Sequence, residues 1–182
     1  MMRPSTFLSA VALIVAALPA WCENEGSDAD RKARPCAYSS EARQLDFWIG
    51  DWTVTSSGGP AGESHVEKIL GECVVFENWT GAHGLSGKSF NIWDGSHKEW
   101  RQTWVDSSGS LLEFHGAFAD RQMRFVAEAI QPGPDGQPQD TTQRMTFFDN
   151  GGTVRQLGEQ SVDGGKTWTV SYDLLYTRKV VH

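Results

Sequence analysis

Hydrophobic and polar residues alternate with a period of two from Trp52 to Lys179. This alternation is typical of strands that bury one face. Clusters of Gly, Asp, Asn and Ser interrupt it at short intervals, as at Asp94-Gly95-Ser96. The pattern predicts about ten strands: Trp52–Ser56, Glu63–Leu70, Glu72–Thr80, Ser86–Trp93, Glu99–Asp106, Ser110–Phe118, Gln122–Ile130, Thr141–Phe148, Thr153–Ser161 and Thr167–Lys179.

Short turns between consecutive strands predict antiparallel pairing in a meander. No helical segment alternates with the strands, which excludes a parallel α/β sheet. We expect an all-β, up-and-down barrel, because closure removes the exposed edges of a ten-stranded sheet. A two-sheet sandwich is the alternative. Residues 131–138 form the one long loop predicted, a candidate rim or lid, and residues 39–48 are predicted to begin as a capped short helix.

The N-terminal residues have a different character. Arg3, an apolar run from Phe7 to Leu18 and the small residue Ala20 are typical of a secretory signal peptide over residues 1–20. The run is shorter than the roughly 20 residues that a membrane-spanning helix needs. Residues 21–37 are polar and aperiodic, which predicts a flexible lead-in to one barrel domain over residues 38–182. We expect a periplasmic or secreted protein.

The net charge, the cysteines and the histidines indicate which partners, crosslinks and metals to expect. The formal net charge is -7 and no basic stripe is present, so we expect no nucleic-acid partner. Cys36 and Cys73 are a candidate disulfide in an oxidising compartment, the alternative being that Cys73 is a buried small apolar residue. No two histidines have metal-ligand spacing on a common strand face, so no metal is predicted.

Residues 161–168 match the Asp-box pattern S-x-D-x-G-x-T-W. Propellers that use this box repeat it several times, whereas it occurs once in this chain. We interpret it as a well-made hairpin between the last two strands, with no implication of glycosidase chemistry.

Alternation also sorts the side chains by face. On the strand Glu99–Asp106, the face that carries Trp100, Gln102 and Trp104 is the better interior. On the following strands the same alternation places inward Leu112, Phe114, Gly116, Phe118, Met123, Phe125, Ala127, Ala129, Gln143, Met145, Phe147, Val154, Gln156, Gly158, Gln160, Trp168, Val170, Tyr172, Leu174, Tyr176 and Arg178. The inward face of the strand that carries Glu77 and Trp79 is ambiguous.

Several amides fall on this otherwise apolar face. An unpaired buried polar group costs about 1–3 kcal/mol, so inward glutamines indicate a wet cavity or a satisfied internal network. The alternative is that they face solvent at the barrel ends. Arg101, Arg144 and Arg155 fall on the outer face with Glu99, Glu128 and Glu159, which predicts exterior salt bridges. An inverted assignment would turn these charges into an internal ionic site.

Several motifs in order resemble a family of exported bacterial domains related to nitrobindins and the wider calycin group. They are Leu45-Asp46-Phe47-Trp48-Ile49-Gly50-Asp51-Trp52, Glu77-Asn78-Trp79-Thr80-Gly81, Gln102-Thr103-Trp104-Val105-Asp106, Arg155-Gln156 and Asp163-Gly164-Gly165-Lys166-Thr167-Trp168. The resemblance implies a ten-stranded barrel with a short N-terminal helix plugging one end. It also implies that Arg178 stacks on Trp52 to close the barrel.

Two departures limit what the resemblance implies about a ligand. Nitrobindins hold haem through a His on a late strand, and no His lies between His115 and His182, so haem is not expected. Gly158 stands where the family would have a large aromatic residue, and an inward Gly158 would leave space in the cavity.

The sequence therefore predicts a barrel that binds a small, partly apolar molecule without catalysis. The predicted ligand-binding residues are Glu77, Trp79, Gln102, Trp104, Phe114, Gln143, Met145, Gln156 and Tyr172. One alternative is an isomerase, cyclase or lyase that uses Glu77, or Glu159 if the faces are inverted, as general acid–base. The other is a filled barrel with a structural or envelope-interaction role.

Overall fold

Ten antiparallel strands close into a barrel in the computed structural model, which describes residues 26–180. The strands are β1 (Gly50–Ser56), β2 (Gly59–Ile69), β3 (Val74–Gly81), β4 (Ser86–Asp94), β5 (Glu99–Asp106), β6 (Leu111–Ala119), β7 (Gln122–Pro132), β8 (Pro138–Asp149), β9 (Val154–Ser161) and β10 (Thr169–Arg178). Consecutive strands pair throughout, and β1 also pairs with β10. The predicted barrel is confirmed and the sandwich is excluded, because no sheet edge remains open. The predicted signal peptide and Cys22 lie outside the described residues.

The β1–β10 seam contains Gly50-Asp51-Trp52, a Gly-x-Trp motif at the start of β1. Trp52 lies opposite Arg178, whose guanidinium carbon is 3.9 Å from the centre of the Trp52 ring. The guanidinium also donates a hydrogen bond to the carbonyl of Ile49. Gly50 has φ +135°, and a Cβ there would lie 1.8 Å from Arg178 Nη1. The motif therefore supplies both the ring under the arginine and the space beside it.

One half of the interior is a packed aromatic core. Its fully buried members include Leu45, Trp48, Trp52, Trp100, Phe125, Phe147 and Tyr176. The Trp48 ring lies 4.6 Å from that of Phe147, and its carbonyl accepts a hydrogen bond of 2.8 Å from Trp52 Nε1. Gln44 Oε1 accepts one of 2.9 Å from Trp100 Nε1. The segment before β1 thus closes this end of the barrel.

The closing segment is not the helix predicted over residues 39–48. It is a series of turns that ends in a 3₁₀ segment, Asp46–Trp48. Its backbone bonds span three residues, as from Trp48 N to the Leu45 carbonyl, and Ser39 Oγ accepts from Ala42 N. Such local bonds favour tight turns over an α-helix. The turns bring both Leu45 and Trp48 into the barrel.

A short α-helix occurs instead inside the predicted flexible lead-in. This helix, α1 (Asp28–Ala33), begins at Ser27 and is followed by a 3₁₀ turn, Pro35–Tyr38. The Cys36–Cys73 disulfide joins that turn to the β2–β3 turn, which confirms the predicted pairing. Arg34 also pairs with Glu72 at 2.7 Å. The sequence pattern did not predict this helix and turn, because the contacts that hold the segment are distant in sequence. Within residues 26–180, no helix is long and apolar enough to cross a membrane.

The predicted long loop at residues 131–138 is shorter in the structure, because residues 131, 132 and 138 belong to strands. Strands β7 and β8 stay paired as far as Pro132 and Pro138. The Gly133 amide donates to the Gln137 carbonyl at 2.7 Å, so only a short tip joins the strands. The segment is therefore the end of a hairpin.

A bulge in β10 corrects the predicted face of two residues. Val170 pairs with Glu159 and Tyr172 with Gly158, so Ser171 is the extra residue in the register. A bulge of one residue reverses the faces on one side of it. Val170 is accordingly exposed, and the Trp168 ring lies outside the barrel under the guanidinium of Arg144 at 4.0 Å. Both had been predicted to point inward.

The arginines of the middle strands lie outside the barrel, as predicted. Arg144 pairs with Glu159 at 2.6 Å. Arg101 pairs with Glu99 along its own strand, and Arg155 pairs with Asp173 on β10. Glu128 accepts from Thr142 and takes no part in these ion pairs. The inverted assignment, with its internal ionic site, is excluded.

The Asp-box residues cap the β9–β10 turn. Asp163 accepts backbone hydrogen bonds from Lys166 and Thr167, and the Trp168 indole donates to the Gly165 carbonyl. The hydrogen bonds that Asp163 accepts, first those from the backbone and hydroxyl of Thr167, lower the pKa of Asp163 to about 2. The box is a structural turn in this chain.

Removing the disulfide should destabilise the barrel. It closes a loop of 37 residues, for which chain entropy predicts about 3–4 kcal/mol. We expect Cys36→Ser/Cys73→Ser to lower the free energy of unfolding in urea by that amount. Reductant should have the same effect on the wild type and none on the variant. A variant as stable as the oxidised wild type would contradict this.

Gly50→Ala should destabilise the seam by about 1–3 kcal/mol, because alanine disfavours the positive φ and its Cβ displaces the Arg178 guanidinium. Urea unfolding measures the loss. Gly58→Ala is the matched control, since the nearest atom to a Cβ there lies 3.7 Å away. Equal stabilities of the two variants would refute the role of Gly50.

Candidate functional site

The other half of the barrel interior holds a cavity of about 320 Å³. The structure brings all the predicted ligand-binding residues together in its wall: Glu77, Trp79, Gln102, Trp104, Phe114, Gln143, Met145, Gln156 and Tyr172. The wall is completed by Leu85, Asp106, Leu112, Leu174 and Tyr176. Strand β3 therefore turns Glu77 and Trp79 inward, which alternation alone had left ambiguous. That these residues bind a ligand stays a prediction.

Glu77 lies at the polar side of this cavity and is only 4% exposed. Ser64 donates a hydrogen bond of 2.8 Å to Oε1 of Glu77, and Ser89 donates one of 3.1 Å to Oε2. Neither serine was predicted as part of the site. The three side chains come from neighbouring strands, β2, β3 and β4, which hold the carboxyl group between two hydroxyls.

A chain of amides extends this network. The Asn91 amide donates to Ser89 Oγ and to the Val75 carbonyl, both at 3.0 Å. Gln102 Nε2 donates to Asn91 Oδ1 at 2.6 Å. Gln102 donates to Asn91, Asn91 to Ser89 and Ser89 to Glu77, so the donors of this series all point toward the carboxyl group. The network is therefore arranged for a carboxylate that accepts.

Sequence reasoning missed Ser64 on β2, and it missed Ser89 and Asn91 because β4 reverses the usual pattern. Phe90 and Ile92, two of its apolar residues, are more than 40% exposed, while the polar residues Ser89 and Asn91 face inward and are fully buried. Apolar alternation identifies the wrong face in such a strand. The pairing of Ser89 with Glu77, and of Asn91 with Gln102, marks the correct face only once the register is known.

Burial controls the charge of Glu77. Within residues 26–180 no cationic side chain pairs with this carboxyl group. Burial raises the pKa of Glu77 to about 7, and the hydrogen bonds from Ser64 and Ser89 offset only part of that effect. Burial, and then the charge of Glu77, raise the pKa of Tyr176; the same two causes raise that of Tyr172. Both phenols therefore stay protonated at neutral pH.

Some polar groups of the wall are already paired. Gln156 accepts from the Tyr176 hydroxyl at 2.6 Å and donates to the sulfur of Met145. The Trp104 indole donates to Asp106 Oδ2 at 3.1 Å. Gln102 and Gln156, two of the predicted amides, thus belong to internal networks and also line the cavity.

Other wall groups have no partner. Among the described residues, no hydrogen bond reaches the side-chain amide of Gln143, the hydroxyl of Tyr172 or the indole N–H of Trp79. Tyr172 keeps 38% of its surface accessible, although its strand turns it toward the cavity. Buried or enclosed polar groups normally have partners. These three are available to water or to a bound molecule.

Two aromatic rings of the wall lie against glycines. A Cβ on Gly158 would be 2.3 Å from the Tyr172 ring, and one on Gly87 would be 2.3 Å from the Trp104 ring. Gly158 does face inward, but the ring of Tyr172 covers it. The expectation that Gly158 leaves open space is therefore wrong, because the space next to it is filled from the neighbouring strand.

The structure removes several chemical alternatives within residues 26–180. Glu159 lies outside the barrel, where its hydrogen bond and charge pairing with Arg144 lower its pKa, so it is no general acid–base candidate. Among the described residues, no cluster of three or more His, Cys, Asp or Glu side chains could hold a metal. Of the five histidines in the sequence, the four that the structure describes, His65, His83, His97 and His115, are all exposed. None of them can contribute a ligand from inside the cavity.

Neither models of known protein families nor curated proteins match this chain. The function of the site therefore has to be inferred from its own geometry.

The raised pKa of Glu77 predicts how stability depends on pH. Unfolded Glu77 titrates near 4.5 and the folded group near 7, so the folded state keeps a proton that the unfolded state releases. The free energy of unfolding should fall between these pH values by up to about 3 kcal/mol and then level off. Glu77→Gln lacks this contribution, so its stability relative to wild type should rise over the same interval.

Urea unfolding from pH 4.5 to pH 8 measures that difference. Glu113→Gln is the control, since it removes an exposed carboxyl from the outer face of β6. If the relative stability of Glu77→Gln does not change with pH, Glu77 is not buried as an acid.

Proposed function

We propose that this protein binds a small, partly apolar molecule inside the barrel. The observation that carries the proposal is the cavity of about 320 Å³, whose mostly aromatic and aliphatic wall includes polar groups without partners in residues 26–180. Small-molecule sites begin at roughly this size and combine an apolar wall with a few polar groups that orient the ligand.

Different residues of the cavity wall have different proposed roles in binding. Trp79, Trp104, Phe114 and Met145 supply apolar surface for the body of the ligand. Gln143, Tyr172 and Glu77 supply hydrogen-bonding groups from several strands. The side-chain carbonyl oxygen of Gln102, which accepts no hydrogen bond within residues 26–180, supplies another. Because a closed barrel holds each strand on both sides, these groups are positioned before a ligand arrives.

Export is part of the proposal. The Cys36–Cys73 disulfide supports a periplasmic or secreted location, because disulfides persist in oxidising compartments. The apolar N-terminal run that resembles a signal peptide agrees with it. The closed ten-stranded barrel also supports the proposed kinship with nitrobindin-like and calycin domains.

A second candidate function is catalysis by Glu77. A pKa of about 7 suits a general acid–base that works near neutral pH. An isomerase, cyclase or lyase would need such a group beside its substrate. The filled-barrel alternative has less support, because a purely structural barrel does not need a cavity of this size.

Native mass spectrometry of the protein purified from its own compartment tests the binding proposal. We expect a mass adduct that denaturation releases. Titration with 2-phenylethanol, a small neutral aromatic probe, should quench tryptophan fluorescence, because Trp79 and Trp104 line the cavity. No adduct together with no quenching would overturn the proposal.

Leu112→Trp should reduce the affinity for this probe at least ~10-fold, because the larger ring fills space in a closed wall. Leu111→Trp is the matched control: the neighbouring side chain points outward and is 61% exposed. Isothermal titration measures both affinities. Equal losses in the two variants would place the probe outside the cavity.

Small molecules extracted from wild type and from Glu77→Gln distinguish binding from catalysis. Identical molecules, compared by chromatography and mass, would support binding alone. A different molecule retained by the variant would indicate a substrate that Glu77 converts.

A further inference from the structure

We infer that the ligand is a small organic cation, an amine or ammonium group on an apolar body, held by Glu77 as its counter-ion. The inference rests on the proposed binding function and specifies the chemical class of the ligand. Three observations carry it: the charges of the cavity wall, the bonding of Glu77 and the aromatic surface around it.

The wall of the cavity carries only negative formal charge. Glu77 and Asp106 are its carboxyl groups, and its residues include no Lys, Arg or His. Asp106 already accepts from Ser108, Ser110 and Trp104. Burial raises its pKa, but these hydrogen bonds outweigh burial and leave the pKa below its usual value. An anionic ligand would therefore meet like charge, whereas a cation would be attracted.

Glu77 has acceptor capacity left for a ligand. Each carboxylate oxygen has two lone pairs, and each receives one serine hydrogen bond. The second lone pair of each oxygen is free to accept from an ammonium N–H. A cation would also remove the main cost of ionising Glu77, which is burial without an opposite charge.

The apolar part of the wall suits the rest of such a ligand. Trp79, Trp104, Phe114 and Tyr172 line the cavity from four different strands. Aromatic faces attract cations, most strongly where water is excluded. A cavity wall that combines these four aromatic side chains with one carboxylate therefore favours a cation with an apolar body over a neutral analogue.

Cation binding should be coupled to a proton. The other titratable groups that line the cavity are Asp106 on β5 and Tyr172 and Tyr176 on β10. Asp106 is ionised and the two phenols are protonated near neutral pH. Glu77 is therefore the group whose protonation state changes when a cation binds. A cation that binds the ionised carboxylate releases its proton at pH values below about 7.

The test compares three probes that share a phenyl body: 2-phenylethylammonium, 2-phenylethanol and phenylacetate. Isothermal titration at pH 8 should show the cation bound about 10- to 100-fold more tightly than the alcohol, with phenylacetate weakest. Glu77→Gln should bring the ratio of cation to alcohol affinity close to one, because the cation then loses its counter-ion. Glu113→Gln should keep the wild-type ratio.

Proton release is measured on the wild type and needs no variant. Titrations of the cation in two buffers of different ionisation enthalpy should show release of up to one proton near pH 6. The release should fall toward zero at pH 8.5. The alcohol should release none at either pH.

The outcomes separate the two proposals. If the alcohol binds as tightly as the cation, or if phenylacetate binds best, the ligand class is wrong while the binding function stands. If Glu77→Gln keeps the cation preference, or no proton is released, Glu77 is not the counter-ion. If none of the three probes binds at millimolar concentration, both proposals fail.

Discussion

The pairing of β1 with β10 is the constraint on which the rest of the structure depends. It converts a ten-stranded meander into a closed wall, and only a closed wall can enclose both a core and a cavity. The seam is held where Arg178 covers Trp52, with Gly50 leaving the space for the guanidinium. The Gly50-Asp51-Trp52 segment is thus a closure element. None of its residues lines the candidate site.

The closed barrel divides its interior between two physical tasks. Trp48 and the aromatic residues around it fill one half and exclude water there. The other half is not filled by side chains and keeps a cavity beside Glu77 and Gln102. The missing packing contacts lower the stability of the fold. A carboxyl group buried without a cation is destabilising when ionised. Its presence among serine and amide donors supports the proposed role of Glu77 in binding a ligand.

Strand β4 shows where reasoning from alternation reaches its limit. Phe90 and Ile92 lie on the outer surface, while Ser89 and Asn91 support Glu77 from inside. The rule that apolar residues face inward assumes that the interior is a core. Inside a cavity with its own polar network the rule fails, and the register of the neighbouring strands has to decide. The bulge at Ser171, which turns Val170 outward, is a second case of the same limit.

The sequence by itself predicted the strands, their antiparallel order, the candidate disulfide and the wall residues on β5, β6, β8, β9 and β10, because each of these follows from local alternation, turn chemistry or composition. Only the tertiary structure decided which way β3 and β4 face, how residues 28–48 fold, and that Tyr172 covers Gly158. These features depend on contacts between residues far apart in the chain, such as Arg34 with Glu72 and Ser64 with Glu77. No local pattern encodes such contacts, or the burial that raises the pKa of Glu77.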